Sequence, residues 1–179
     1  MRPFSPILHL FERLGDAMYG GECVSQTAHA LQAAHAAECA DAPARMVVAA
    51  LLHDVGHLLP AAAALDEPTG DLEHERVGGQ WLSSWFPPGV TEPVLLHVDA
   101  KRFLCATEPE YAGTLSMTSR ASLVAQGGPM SSIEVSEFRA RRFAMDAVEL
   151  RRWDEAAKVV GAQTPDLSHF VGYFDQVAS

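Results

Sequence analysis

A chain of 179 residues with 48% apolar side chains is long enough for one domain with a sizeable core and too apolar to remain disordered. Thirteen Lys and Arg against 23 Asp and Glu give a formal net charge of −10, which excludes the broad basic footprint of a nucleic-acid binder and offers no attraction to an anionic membrane surface. Three scattered cysteines, Cys23, Cys39 and Cys105, make neither a disulfide framework nor a zinc knuckle, as expected of reduced thiols in a cytoplasmic protein.

The first predicted helix covers residues 3–18, where Ile7, Leu8, Leu10, Phe11, Leu14 and Met18 recur at helical spacing before Gly20 and Gly21 end it. The same N-terminal stretch has no long apolar run and no small-residue cleavage site, so no signal peptide is expected. Residues 25–40 are Ala-rich and helical, broken by Asp41 and Pro43. Residues 44–59 are apolar on nearly every face, which predicts a buried helix closed by Pro60. Pro68 and Gly70 mark a loop over 66–71, and a helix follows over 72–86 until Pro87, Pro88 and Gly89. The next helix opens at Thr91, with Pro93 in its first turn, and runs to 104. Shorter helices are predicted over 116–124 and 132–138, separated by a turn at 126–130. A longer one covers 140–160, with Leu150, Trp153 and Ala157 at core spacing, and a terminal helix covers 167–177 after the break at Thr164 and Pro165. No apolar run is long enough to span a membrane, and strand-like alternation is absent. The expectation is one all-α domain over 1–179, a compact bundle of eight to ten helices.

Chemistry concentrates in the run His53-Asp54-Val55-Gly56-His57, at the end of the apolar segment. Burying a His-Asp pair is unfavourable unless it is satisfied, either by a mutual hydrogen bond or by a divalent metal that both groups ligate. An isolated pair favours the first reading. His29, His74, His97 and Asp154, each on a different predicted helix, favour the second, because helical bundles build di-metal sites from one inward ligand per helix. Asp54 has two oxygens and can bridge two metals. His9, His35 and His169 have no such context.

The order His29, His53-Asp54, Asp154, with His74 and His97 between, resembles the dinuclear branch of the HD-domain superfamily. The segments YGGE (19–22), HALQAA (29–34), LLHDVGHLL (51–59), HVDAKRFLCA (97–106), LVAQGGPMS (123–131) and LRRWDEAAK (150–158) resemble the PhnZ-like HD-domain oxygenases of phosphonate breakdown. The match spans about residues 7–165. The related myo-inositol oxygenases share this ligand order, and there too a Lys follows the last Asp by four, as Lys158 follows Asp154.

The resemblance implies a mixed-valent Fe(II)/Fe(III) oxygenase that uses O2 to cleave the C–P bond of a 1-hydroxyphosphonate, such as 2-amino-1-hydroxyethylphosphonate, into phosphate and a carboxylic acid. It implies that His29, His53 and Asp154 hold one iron, that His74 and His97 hold the other, and that Asp54 bridges them. Asp146 lacks the LRRWD context and is the weaker alternative to Asp154. The resemblance makes Tyr19 and Glu22 a lid, the Tyr able to occupy the iron before substrate and O2 arrive, and Gly20 with Gly21 would hinge it. A carboxylate at Glu22 would suit a substrate carrying a cationic amine. A functional partner, a 2-oxoglutarate-dependent hydroxylase supplying the 1-hydroxy substrate, is implied in the same way.

Local spacing agrees with a pocket for a small organophosphonate. Lys101 shares a helix face with His97, and Arg151 with Asp154. Arg grips phosphate-like oxygens bidentately and Lys as a point charge. His57 follows His53 by one turn, and Ser119, Ser122 and Gln126 can add hydrogen bonds. Taken singly, Lys101 and Arg151 also read as solvated helix cations, Ser119 and Ser122 as capping or lining residues, Tyr19 and Glu22 as plain loop residues, and Trp153 as a core anchor. With only three Tyr and three Trp, a rich aromatic cage for a trimethylammonium group is not evident. Two rival classes share parts of the pattern: an HD phosphohydrolase with the same ligands, acting on a phosphate ester, and a binding module that has lost its metals.

Overall fold

The structure, a computed structural model, describes residues 4–19, 21–59 and 73–178. Its elements are α1 (Ser5–Leu14), α2 (Gln26–Cys39), α3 (Ala44–Leu52), a 3-10 turn (Val55–Leu58), α4 (His74–Leu82), α5 (Pro88–Thr107), α6 (Tyr111–Thr114), α7 (Met117–Ala125), α8 (Ser132–Ala140), α9 (Ala144–Ala156), α10 (Leu167–Val171) and α11 (Phe174–Val177). The chain is all-α. Among the described residues no strand forms; one antiparallel bridge, Met18 to Ser25, closes the loop between α1 and α2. Gly20, Pro60, the expected loop at 66–71 and the expected helix start at 72 lie outside the described residues.

Local signals set most starts. Ser25 caps α2 by accepting from the Ala28 N–H at 3.1 Å, Ser116 caps α7 by accepting from Ser119 N–H at 3.0 Å, and Ser131 with Glu134 forms a capping box on α8. The helix expected from 91 begins earlier, at Pro88, so Pro93 lies inside it. Proline has no N–H, so Gly89 O loses its helical donor; Arg45 Nη1 donates to that carbonyl at 3.4 Å instead. The expected 140–160 helix spans only Ala144–Ala156, and the terminal one divides at Gly172.

The expected 44–59 helix is the main correction. It stops at Leu52, and Asp54, with φ −102° and ψ 12°, leads into the 3-10 turn. The cause is tertiary. The backbone at Gly56 lies against the first turn of α4, so closely that a Cβ there would sit 2.0 Å from His74 O.

Packing then places the site. Ala30, Ala33, Ala34 and Ala37 are buried and leave α2 close to α3, whose residues Met46–Leu52 are all buried. Trp153 packs, half-buried, against this core, as an anchor should. A second cluster joins α5 to α9 through Leu96, Ala100, Phe103, Ala147 and Val148. Among the described residues, no helix is long and apolar enough to cross a membrane.

Candidate functional site

Six side chains converge in the bundle from α2 (His29), the end of α3 and the turn after it (His53, Asp54), α4 (His74), α5 (His97) and α9 (Asp154). All six are buried, and His29, His53 and Asp154 are fully so. They are the six expected ligand residues. His29 Nε2 and His53 Nε2 are 3.1 Å apart, as are His74 Nε2 and His97 Nε2. Asp54 lies between the pairs. Its Oδ2 is 3.6 Å from His29 Nε2 and 3.3 Å from His53 Nε2. Its Oδ1 is 3.2 Å from His74 Nε2 and 3.4 Å from His97 Nε2. Asp154 Oδ1 completes the first pair at 3.4 Å from His29 Nε2.

The outer ring nitrogens explain why the inner ones point inward. His29 Nδ1 donates to Ala157 O at 2.8 Å, His53 Nδ1 to Ala50 O at 2.8 Å, and His97 Nδ1 to Val94 O at 2.7 Å. With a proton fixed on Nδ1, each ring turns its Nε2 to the centre, as a lone pair whenever that nitrogen carries no proton. Two such lone pairs at 3.1 Å repel unless a proton or a cation sits between them. Both oxygens of Asp54 and Oδ1 of Asp154 are buried without a hydrogen-bond partner. Buried carboxylate oxygens are rarely left so, and facing imidazoles of this tautomer make a fitting metal donor set. Two groups of donors lie within 4.8 Å of one another: His29, His53 and Asp154, and Asp54, His57 and His74.

The charges agree. Burial opposes ionisation of Asp54 and Asp154, yet the His53 ring beside Asp54, and Arg151 beside Asp154, hold both well below the ordinary carboxylate range. Burial would lower His53, but Asp54 and Asp154 outweigh it and raise the ring to about 10. His97 is pushed down, chiefly by burial. The carboxylates are therefore ionised, and the proton they hold on His53 is the one a metal would displace.

A cavity of about 200 Å³ opens beside Asp54, His74 and His97. Every other expected site residue lines it: Tyr19, Glu22, His57, Lys101, Ser119, Ser122, Gln126 and Arg151. His57 is exposed and stacks on His74, with ring centroids 4.0 Å apart. Tyr19 stacks on His29 at 3.8 Å and 12°; burial, with Asp54 and Asp154 nearby, pushes its phenol well above 10. Lys101, 3% exposed, donates from Nζ to Ser122 Oγ at 2.7 Å. Gln126 Oε1 is buried without a hydrogen-bond partner.

Arg151 is more committed than its spacing suggested. Nη1 donates to Asp154 Oδ2, Nη2 to Glu155 Oε2, and Nε to Tyr111 OH at 3.0 Å. It thus occupies one Asp154 oxygen and leaves the other to the histidines. Two participants, Tyr111 and Glu155, escaped the sequence reading, and a third, Lys158, was noted there only as the Lys four residues after Asp154. Tyr111 supports Arg151, and burial foremost pushes its phenol up to about 12. Glu155 accepts from Ser119 Oγ at 3.0 Å and Lys158 Nζ at 3.0 Å. Lys158 lines the cavity and donates to Ser119 Oγ at 2.7 Å. The signal was present in LRRWDEAAK: a buried Arg next to a metal ligand needs a second carboxylate, and Glu155 is adjacent.

Fold and site define a class, an α-helical protein with a buried His/Asp centre suited to metal and a polar cavity opening onto it. Comparison with known proteins is more specific. Hydroxymethylphosphonate dioxygenase of Gimesia maris is 42% identical over 177 residues, covering 94% of this chain and 86% of its own. [1-Hydroxy-2-(trimethylamino)ethyl]phosphonate dioxygenase (glycine-betaine-forming) of Leisingera caerulea is 43% identical over 162 residues, covering 90% and 83%. An uncharacterised protein of Acanthamoeba polyphaga mimivirus is 30% identical over 171 residues, covering 92% and 76%. No family model matches the chain. The chain belongs to the PhnZ-like phosphonate oxygenases. It is an oxygenase, and this fits C–P cleavage better than ester hydrolysis by a phosphohydrolase.

Proposed function

We propose that the protein is a single-domain, cytoplasmic HD-type diiron oxygenase that converts a 1-hydroxyphosphonate and O2 into a carboxylate and phosphate. The observation that carries this reading is the pair of unpartnered Asp54 oxygens, each facing two histidine nitrogens. The net reaction balances: one O2 oxygen enters the carboxylate and the other the phosphate, as the C1–H and C–P bonds are lost. His29, His53 and Asp154 would hold one iron, His74 and His97 the other, with Asp54 between them. When bound, the iron pair supplies O2 activation and oxidation at C1.

The protein's own groups bind and orient. Lys101 and His57 meet the phosphonate at the cavity wall, and Ser119, Ser122 and Gln126 complete its polar lining. Arg151 keeps Asp154 ionised and oriented while adding positive charge beside the cavity. Tyr19 and Glu22 line the cavity and, as the lid the resemblance implies, would exclude water once substrate has entered. A 2-oxoglutarate-dependent hydroxylase would supply the 1-hydroxyl group, as the resemblance implies.

The test is O2 consumption by iron-loaded protein with phosphate release followed in the same sample. Equal uptake and release on adding a 1-hydroxyphosphonate supports the reading, and phosphate release from an ester without O2 uptake overturns it. Lys101→Met should leave iron content unchanged and raise KM by about 10–100-fold, the loss of a buried charge-assisted hydrogen bond. An unchanged KM would remove Lys101 from the phosphonate subsite.

A further inference from the structure

The related dioxygenases differ in one chemical respect. One is named for a phosphonate with no nitrogen, the other for a phosphonate bearing a trimethylamino group. Two aspects of the cavity bear on this choice, the state of its carboxylates and its aromatic faces.

Two carboxylates line the cavity among the described residues, Asp54 and Glu22. Asp54 is turned to the histidines. Glu22 is the residue that suited a substrate ammonium on sequence grounds, but it is engaged by the protein. Its Oε1 accepts from Ser116 Oγ at 2.5 Å and lies 3.8 Å from Lys158 Nζ. Both partners are themselves held. Ser116 N–H donates to Glu155 Oε1 at 3.0 Å, and Lys158 Nζ bonds Glu155 Oε2 and Ser119 Oγ. The backbone beside Lys158 is clamped too: Gln32 Oε1 accepts from Val159 N–H at 3.0 Å and Gln32 Nε2 donates to Val159 O at 3.0 Å. Lys158 is therefore a fixed cation at the cavity wall, only 10% exposed and next to the one lining carboxylate, among the described residues, not committed to the histidines.

The aromatic route to a cation is equally poor. Among the described lining residues Tyr19 is the one Tyr, Trp or Phe, and one face of its ring is covered by His29. A quaternary ammonium is held by several aromatic faces. The cavity is also small, about 200 Å³, below the usual span of roughly 300–1,000 Å³ for drug-sized ligand pockets.

We propose that Lys158 and Ser116, by holding Glu22, set the specificity of the site against a positive charge beyond C1, so that its substrates are small 1-hydroxyphosphonates with hydrogen or an uncharged carbon substituent there. This rests on the oxygenase reading above. Selection works by exclusion: with Glu22 held by Ser116 and Lys158, a substrate cation would give up its hydration without gaining a free carboxylate to pair with.

The iron-loaded enzyme is tested with four compounds: hydroxymethylphosphonate, 1-hydroxyethylphosphonate, 2-amino-1-hydroxyethylphosphonate and its N-trimethyl analogue. The two uncharged substituents should lie within about tenfold of each other in kcat/KM, and each should exceed both cations by more than about tenfold, the discrimination that one unfavourable buried contact supplies. A cationic substrate equal to or better than the others overturns the inference and leaves the oxygenase reading standing. Hydroxymethylphosphonate alone being turned over overturns it as well, because size and not charge would then select. No turnover of any of the four overturns the reading and the inference together. Lys158→Met should move the cation-to-neutral ratio of kcat/KM about tenfold towards the cations, and Ser116→Ala should move it in the same direction by releasing the other hold on Glu22. A folded Lys158→Met protein with the wild-type ratio overturns the assignment to Lys158.

Discussion

Asp54→Asn removes turnover and metal retention together while leaving a folded chain. Among the described residues Asp54 is the single side chain in reach of all four histidine Nε2 atoms, with one oxygen for each pair. An amide of the same shape keeps one oxygen and replaces the other with an NH2 group, which donates hydrogen bonds and cannot ligate a metal. One half of the centre loses its anionic donor outright. Changes to groups that merely orient ligands cost about 10–100-fold in metal affinity or activity, so loss of a bridging ligand should exceed about 100-fold in affinity. Iron analysis after desalting, O2 uptake, and the rise in Tm on adding Fe(II) or Mn(II) to metal-free protein measure this separately. The new NH2 can donate to an imidazole Nε2, so the metal-free variant should melt near metal-free wild type while its metal-induced rise disappears. Full iron content with wild-type turnover would remove Asp54 from the centre.

Gly56→Ala should be the most damaging change that touches no ligand. The new Cβ would lie 2.0 Å from His74 O, 2.8 Å from His74 C and 3.1 Å from Gly78 N. These are backbone atoms, so no rotamer relieves the clash. The 3-10 turn and the first turn of α4 must separate, and His74 moves with α4. Overpacking of this kind costs about 1–3 kcal/mol or more. Its chemical consequence is asymmetric. The His74–His97 half of the centre should lose its metal, while His29, His53 and Asp154 keep their arrangement, so iron content should fall towards half that of wild type. Gly113→Ala, where a Cβ meets nothing within 4 Å, is the control and should melt within about 1 kcal/mol of wild type. Unchanged melting and full iron in Gly56→Ala would refute the close approach.

The same glycine shows where sequence reasoning reached its limit. The ligand residues were legible because a buried His-Asp pair requires a partner, and because His29, His74, His97 and Asp154 fell on separate periodic segments. The starts of α2, α7 and α8 lie where Ser25, Ser116 and Ser131 cap them, local contacts between residues three apart. The break at His53 was not legible. Apolar residues continue through Leu59, and helix periodicity alone favours continuing the helix. The turn exists because of where α4 lies, a contact between segments about twenty residues apart. Pro93 misled for the same reason. It reads as a helix opener, yet it lies inside α5, where Arg45, from α3, donates to the Gly89 carbonyl that the proline leaves without a helical donor. Glu22 is the functional counterpart: its charge was visible, but its engagement by Ser116 and Lys158 depends on long-range folding.

The three Nδ1–carbonyl bonds have a thermodynamic consequence. His29, His53 and His97 are each locked by a main-chain oxygen on a helix or just beyond one. Their rings cannot swivel, so little conformational entropy remains to be lost when an ion arrives. Uptake of metal is then docking into a rigid crown of donors, unlike the coupled folding of a zinc finger. A chelator should strip the ion and leave the helices standing, and the emptied protein should regain its activity on reloading without passing through an unfolded state.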